Sequence, residues 1–210
     1  MKLMKPQQLT ETSKRPYSAE RLQFVPGVWV NGKYYWLYNS TEKIIYDEGL
    51  IIKVNQEHIH SKIRFSKIMV SNHSNREKEI KIMAMHYLPN IDPDHLVFVS
   101  PTDHHIFHHN GEDVFLVNGK TVEMGISQYT NMPIWNAFTD QIWNSLETGT
   151  LKYQPMAKGP AVSIFAMNLK LDKHATSKVT TWAISGTSRN EVVSMEQALL
   201  KNRLAFPGEK

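Results

Sequence analysis

Two histidine runs carry the spacings in this sequence that are closest to chemistry. His58-Ile59-His60 places two imidazoles at i and i+2. On a strand rising about 3.3 Å per residue they share one face, about 7 Å apart at the backbone, an arrangement a β-strand uses to hold zinc. His58 and His60 are therefore the candidate metal ligands. A third ligand is required and no motif supplies it, so polar residues on a solvated strand explain the pair at lower cost, and no cofactor is expected. The second run extends from Asp103 to Val117 and holds four of the ten histidines. It reads as a β-hairpin closed by Asn110-Gly111. A two-residue turn there pairs His109 with Glu112, His108 with Asp113, Phe107 with Val114 and Ile106 with Phe115. His104, Ile106 and His108 share one face, and His105, Phe107 and His109 the other. Strand geometry thus disperses a run that looks like a chelator. The expectation is cross-strand His–carboxylate pairs on a partly exposed hairpin, with His108 and Asp113 as a candidate ligand-binding pair.

A third group is aromatic. Trp29, Tyr34, Tyr35, Trp36 and Tyr38 flank Asn31-Gly32, a second hairpin signal. Flat rings stack on the C–H faces of pyranoses, and five aromatics on two faces are hard to bury together, so Trp29, Tyr35 and Trp36 are candidate ligand contacts. Core packing is the competing account. Trp135 and Trp143, at near-helical spacing, read as core. No Gly-x-Ser-x-Gly elbow and no glycine-rich phosphate loop occurs, so serine-hydrolase and nucleotide readings have no motif. Asp140 and Glu147 are a conceivable carboxylate pair for glycoside hydrolysis, but sequence does not set their separation.

The elements that position these residues are mostly short strands. Val28–Val30, Tyr34–Tyr38, Lys43–Tyr46, Leu50–Val54, Ile63–Val70, Ile80–Ala84 and Leu96–Val99 precede the histidine hairpin, and Ala161–Lys170 and Lys178–Ser185 follow it. Asn118-Gly119 reads as the end of that hairpin. Ile80, Ile82 and Ala84 alternate with Glu79, Lys81 and Met83, which predicts one buried and one partly wet face. Ile134, Phe138, Ile142 and Leu146 recur every four residues, predicting a short helix near 134–146. Ser188 and Glu191 form a capping box ahead of Val192, Met195 and Leu199, predicting a C-terminal helix near 189–204. The fold class is mainly β, an antiparallel β-sandwich, with a flexible arm over residues 1–20 and a single domain over 21–210.

Three stretches resemble a known family: Asp47-Glu48-Gly49-Leu50, Phe65 to Ser74 with its Val-x-Asn-x-Ser turn, and Trp143 to Leu151 followed by Pro155 and Gly159. They resemble the N-terminal, non-catalytic β-supersandwich of bacterial glucoamylases, whose fold is similar to that of galactose mutarotases. The resemblance implies a sandwich without the helical barrel in which the glucoamylase acid and base lie. A mutarotase-type activity would instead require a histidine acid and a carboxylate base around a sugar, and no local motif assigns those roles.

Composition narrows the classes further. Hydrophobic residues make up 41% of the 210 residues, enough for a sizeable core, and the absence of cysteine excludes disulfides and thiolate sites. The net charge of +4 is modest and interspersed, with no basic stripe for nucleic acid. No apolar run approaches the ~20 residues of a membrane span, and no secretory signal is evident. The sequence therefore reads as a cytoplasmic, non-enzymatic binding protein for carbohydrate or a protein partner, acting through an exposed aromatic and histidine-rich face. An aldose-mutarotase-type enzyme is the alternative. A homodimer would cover exposed strand edges.

Overall fold

The computed structural model describes residues 19–90 and 92–204, so the expected N-terminal arm lies outside the described residues except at its end. That end, Ala19–Arg21, is a 3-10 turn in which the Ala19 N–H donates to the Ser61 carbonyl. The strands are β1 (Gln23–Val30), β2 (Lys33–Trp36), β3 (Glu42–Ile45), β4 (Leu50–His60), β5 (Ile63–Asn72), β6 (Lys78–Tyr87), β7 (Leu96–Val99) and β8 (Ile106–Asn110). They continue as β9 (Asp113–Lys120), β10 (Gln128–Pro133), β11 (Trp143–Ser145), β12 (Thr150–Leu151), β13 (Met156–Lys158), β14 (Ala161–Leu171) and β15 (Thr176–Gly186), and helix α1 spans Arg189–Leu204.

Period-two alternation sorts these strands into layers. One sheet has the order β10-β14-β6-β1-β2 and the other β13-β7-β8-β9-β15-β5-β4-β3, with antiparallel pairing throughout both. Between the sheets lie Val28, Val30, Ile80, Ile82 and Phe165 from the smaller sheet and Ile52, Ile68, Phe115 and Val117 from the larger. The opposite face of the larger sheet, with Phe65, Phe107, Leu116, Trp182 and Ile184, takes Val192 and Leu199 of α1. The outer face of the smaller sheet, with Met83, Met85, Val162 and Ile164, is covered by Ala137, Ile142, Trp143 and Leu151. The chain is thus a β-sandwich with a helix on one outside and an irregular cap, residues 134–151, on the other.

Both predicted Asn-Gly turns lie in hairpins, but they differ in register. Asn31 (φ 48°) and Gly32 (φ 74°) form the loop between β1 and β2 as expected, both left-handed as a type I′ turn requires. In the histidine hairpin the loop is Gly111-Glu112. Gly111 alone has positive φ, at 61°, the pattern of a type II′ turn with glycine first. Asn110 joins the strand opposite Asp113, so His108 faces Phe115 and not Asp113. His104 has φ 57° and precedes the strand, so it does not share a strand face with His108.

Three further expectations change. Asn118-Gly119 ends no hairpin. Gly119 is a strand residue opposite Thr181, and a Cβ there would come within 3.1 Å of Phe165 and 3.0 Å of Met167 across the sandwich. The helix expected near 134–146 is two 3-10 turns, Ile134–Asn136 and Asp140–Ile142, before strand β11. The Asn136 carbonyl accepts from both the N–H and the hydroxyl of Thr139, and Thr139 in turn caps Gln141, which interrupts an i to i+4 ladder. The face of β6 carrying Met83 is dry where the cap covers it. The C-terminal helix forms where predicted. Ser188 accepts from the Glu191 N–H, but the Glu191 carboxylate takes the Thr187 N–H and hydroxyl, one residue upstream of a standard capping box. Among the described residues no helix is long and apolar enough to cross a membrane.

Candidate functional site

The aromatic hairpin works mainly as a mount. The Trp29 indole N–H donates to the Leu146 carbonyl at 2.8 Å, and Gly149, with φ 61°, sits where a Cβ would fall 2.5 Å from the Trp29 ring. Lys81 reaches over the same indole and donates to the carbonyls of Thr148 (3.1 Å) and Gly149 (2.7 Å). Tyr34 donates its hydroxyl to Asp140 at 3.0 Å and meets Trp36 and Trp143 edge-on. Trp36 is buried against the notch left by Gly27. Tyr35 points between the sheets with Lys43 above its ring. Of the three aromatic candidates, Trp29 holds the cap, Trp36 is core and Tyr35 packs against the core.

The cap so held presents rings of its own. Trp135 is 63% exposed, and Phe138 and Tyr38 are each 46% exposed. Trp135 lies in the first 3-10 turn and Phe138 in the turn that follows it, three residues on. Tyr38 joins Phe138 at 5.7 Å between ring centroids. Asn136, Thr139 and Asp140 are interleaved with the rings along the chain. The Tyr38 phenol is pushed up to about 12, first by burial and then by the neighbouring phenols of Tyr34 and Tyr87, so its hydroxyl stays protonated. A fixed, solvent-facing set of rings with amide, hydroxyl and carboxylate neighbours can stack on an apolar face while bonding its polar edge. The four-residue periodicity assigned Trp135 and Phe138 to a buried stripe. The signals against this were Pro133, Asn136, Thr139 and Asp140, all poor helix-interior residues.

The histidine hairpin is the reverse case. His108 is fully buried, not on an exposed face. Its Nε2 lies 2.8 Å from Ser163 Oγ on the opposite sheet, and its Nδ1 lies 3.2 Å from His95 Nε2. Ser163 is flanked on its neighbouring strands by His86 and Asn131, whose Nδ1 and Oδ1 are buried without partners. Burial holds His86 and His108 well below the usual histidine range and brings His95 down to about 4. The Ser163–His108–His95 chain has the connectivity of a nucleophile, a base and an orienting group. Ser163 is wholly buried, however, so the chain offers no place for a substrate. Asp113 pairs with Arg21 at the tip of the hairpin.

Another histidine does meet carboxylates. His105 Nε2 lies 2.7 Å from Glu196 on α1, and its Nδ1 lies 3.1 Å from Asp103. Glu196 also accepts from Trp182 Nε1 (2.7 Å) and Asn118 Nδ2 (2.9 Å). Sealed under the helix, that carboxylate is committed to docking α1. At the predicted metal pair, a bulge between His58 and His60 breaks the i, i+2 register, and the His60 ring accepts from the Lys62 N–H. No group of three or more histidine, aspartate or glutamate side chains among the described residues is placed to hold a metal. Asp140 is engaged by Tyr34.

An open groove of about 1130 Å³ lies at the end of the sandwich away from the buried histidines, lined in part by Trp29, Tyr46, Glu48, Lys78 and Lys81. Two ion pairs lie along it. Lys78 pairs with Glu48 at 2.7 Å, Asn31 donates to the same carboxylate, and Lys170 pairs with Glu77 at 2.9 Å.

No family model matches this sequence, and no curated protein matches it. Among solved structures, the chain is similar over 86% of its length to a bacterial glucoamylase complexed with acarbose, at 10% identity and a TM-score of 0.48. It is similar over 80% to a polysaccharide lyase (8% identity, TM-score 0.44) and over 83% to a protein assigned as a kojibiose phosphorylase from the human microbiome (12% identity, TM-score 0.41). The chain spans 28%, 26% and 20% of those proteins, respectively.

Proposed function

We propose that the chain is a carbohydrate-binding β-sandwich whose ligand lies on the cap, against Trp135, Phe138 and Tyr38. The observation that carries this reading is the exposure of those rings on a segment that is otherwise tied down: Trp29 to Leu146, Lys81 to Thr148 and Gly149, and Tyr34 to Asp140. A platform fixed in advance loses little freedom on binding, and solvent-facing rings beside polar groups suit the alternating C–H and hydroxyl faces of a sugar chain. His86, His95 and His108 are buried, and the part-exposed His105 meets a Glu196 sealed under α1, so neither group offers a free imidazole and carboxylate together to a substrate, and the reading is one of binding.

The test is calorimetric titration of the wild-type chain against neutral mono- and oligosaccharides, repeated with Trp135→Ala and Phe138→Ala. Saturable binding of one sugar class, weakened at least tenfold in either variant, is the expected result, tenfold being about 1.4 kcal/mol. Wild-type heats indistinguishable from dilution for every sugar, or binding unchanged in both variants, would overturn the placement.

A further inference from the structure

The connection between the two sheets at the histidine end is unusual in its chemistry. His95 stands in the loop before β7, His108 on β8 of the larger sheet, and Ser163 on β14 of the smaller one. Together they form a hydrogen-bonded tie across the sandwich, 3.2 Å and 2.8 Å long at its two joints. The joint between His95 Nε2 and His108 Nδ1 holds one proton between two nitrogens. A second proton sets two N–H groups head to head, so the joint exists only while one ring remains an acceptor there.

We propose that the loop carrying His95 is an acid-released latch: His95 takes the first proton, loses its bond to His108 and swings outward, parting the loop from β8 and from Gly159 before the fold unfolds as a whole. The surrounding charges set this order. Facing the cluster are His86 from β6 and Arg64 from β5, whose guanidinium is a fixed cation beside His86. The strands β10 and β14 contribute uncharged Asn131 and Ser163. The hairpin tip contributes the Arg21–Asp113 pair, and the residues beside β13 an exposed Lys158–Asp94 pair at 3.8 Å. Among the described residues, none of the three rings is hydrogen bonded to a carboxylate. Burial disfavours the charged form of all three rings, but Asp92, in the latch itself, and a backbone hydrogen bond at Gly159 favour it at His95, and no such partner acts on His86 or His108. His86 and His108 are fixed within strands, whereas His95 is tethered by loop bonds: its N–H to the Asp92 carbonyl, and the Gly159 N–H to its own carbonyl at 2.7 Å. The ring that attracts the proton is therefore also the ring able to carry it out to water.

Hydrogen exchange between pH 7 and pH 4, corrected for the intrinsic rate, tests this in the full chain. Below pH 6.5 and down to about 4, Gly159 N–H should lose protection about tenfold per pH unit, the slope of a one-proton gate, while Ile82 N–H in the centre of β6 stays protected. His95→Gln keeps an amide against His108 but cannot titrate, and Gly159 should then exchange at a rate independent of pH over that range. Parallel loss at Gly159 and Ile82, or an unchanged Gly159 slope in His95→Gln, would overturn the latch. If that variant does not fold, the imidazole nitrogen shifts of the wild-type protein decide. Titration of His95 at the midpoint of Gly159 opening supports the latch, and a His95 ring still neutral after opening rejects it.

Discussion

The two faces of the five-stranded sheet are built by the same strands and end in opposite conditions. Toward the other sheet, β10, β14 and β6 place Asn131, Ser163 and His86 side by side, and all three are buried. Toward the cap, the next residues along the same strands are apolar: Met132, Val162, Ile164 and Met85. The polar face is sealed and the apolar face supports a cap whose rings point to solvent. Residue type alone would have reversed the assignment, with histidines outside and tryptophan inside. What decides is whether a partner waits across the gap. His108 and Ser163 satisfy each other over the sandwich, whereas among the described residues nothing closes over the exposed ring of Trp135.

The largest consequence of this contrast is acid sensitivity. His86, His95 and His108 are held neutral in the fold with pKa values below 6.5, while in the unfolded chain they charge near 6.5. The unfolded state therefore binds more protons below pH 6.5, and stability falls as the pH drops. For His95 the loss runs from 6.5 to about 4. Each histidine withdraws about 1.4 kcal/mol per pH unit within its window. His105 has the opposite sign, because hydrogen bonding to Glu196 raises it. Its contribution is complete below 6.5 and is lost as the pH rises through its raised folded value. Urea midpoints measured from pH 4 to 9 should thus peak near 6.5, fall steeply on the acid side and gently on the alkaline side. In His105→Gln only the alkaline fall should flatten. A curve flat from 6.5 to 5 would show that the seam is not sealed.

A second test compares the faces directly. Phe165 is buried between the sheets and stacks on His86, so Phe165→Ala should cost about 3–5 kcal/mol in urea denaturation. It should leave sugar affinity intact under conditions where the variant is folded. On the other face, Gly149→Ala forces a Cβ into the Trp29 ring at a left-handed position. It should cost about 1–3 kcal/mol and also weaken sugar binding, because the cap is displaced. Equal effects on affinity from the two variants would mean that the faces are not independent.

How far the sequence disclosed this arrangement depends on the range of the interaction. Alternation along β6 and the capping residues at Ser188 identify strands and helix, because each signal is local. The inward face of β6 follows from the same period. The histidine cluster does not follow: His86, His95, His108 and Ser163 come from four separate segments, and no spacing brings them together. The hairpin register failed for a finer reason, since Asn110-Gly111 and Gly111-Glu112 are both acceptable turns and tertiary packing chooses between them. The cap was misread because Ile134, Ile142 and Leu146 do pack inward, leaving Phe138 as the exception within an apparently regular stripe.

The smallest expected effect is also the sharpest separation of roles. Trp135 is the most exposed tryptophan side of the cap, and removing an exposed ring leaves no cavity, so Trp135→Ala should change stability by no more than about 0.5 kcal/mol. Trp143, eight residues on, is buried under the same cap against Tyr34, and Trp143→Ala should cost about 3–5 kcal/mol. Measured together by thermal unfolding and sugar titration, the pair distinguishes a ring kept for contact from a ring kept for support. Loss of binding in Trp135→Ala at unchanged melting temperature assigns contact. A melting temperature lowered as much as in Trp143→Ala would show that Trp135 stabilises the cap, and the solvent-facing rings would then have to be read as part of the mount.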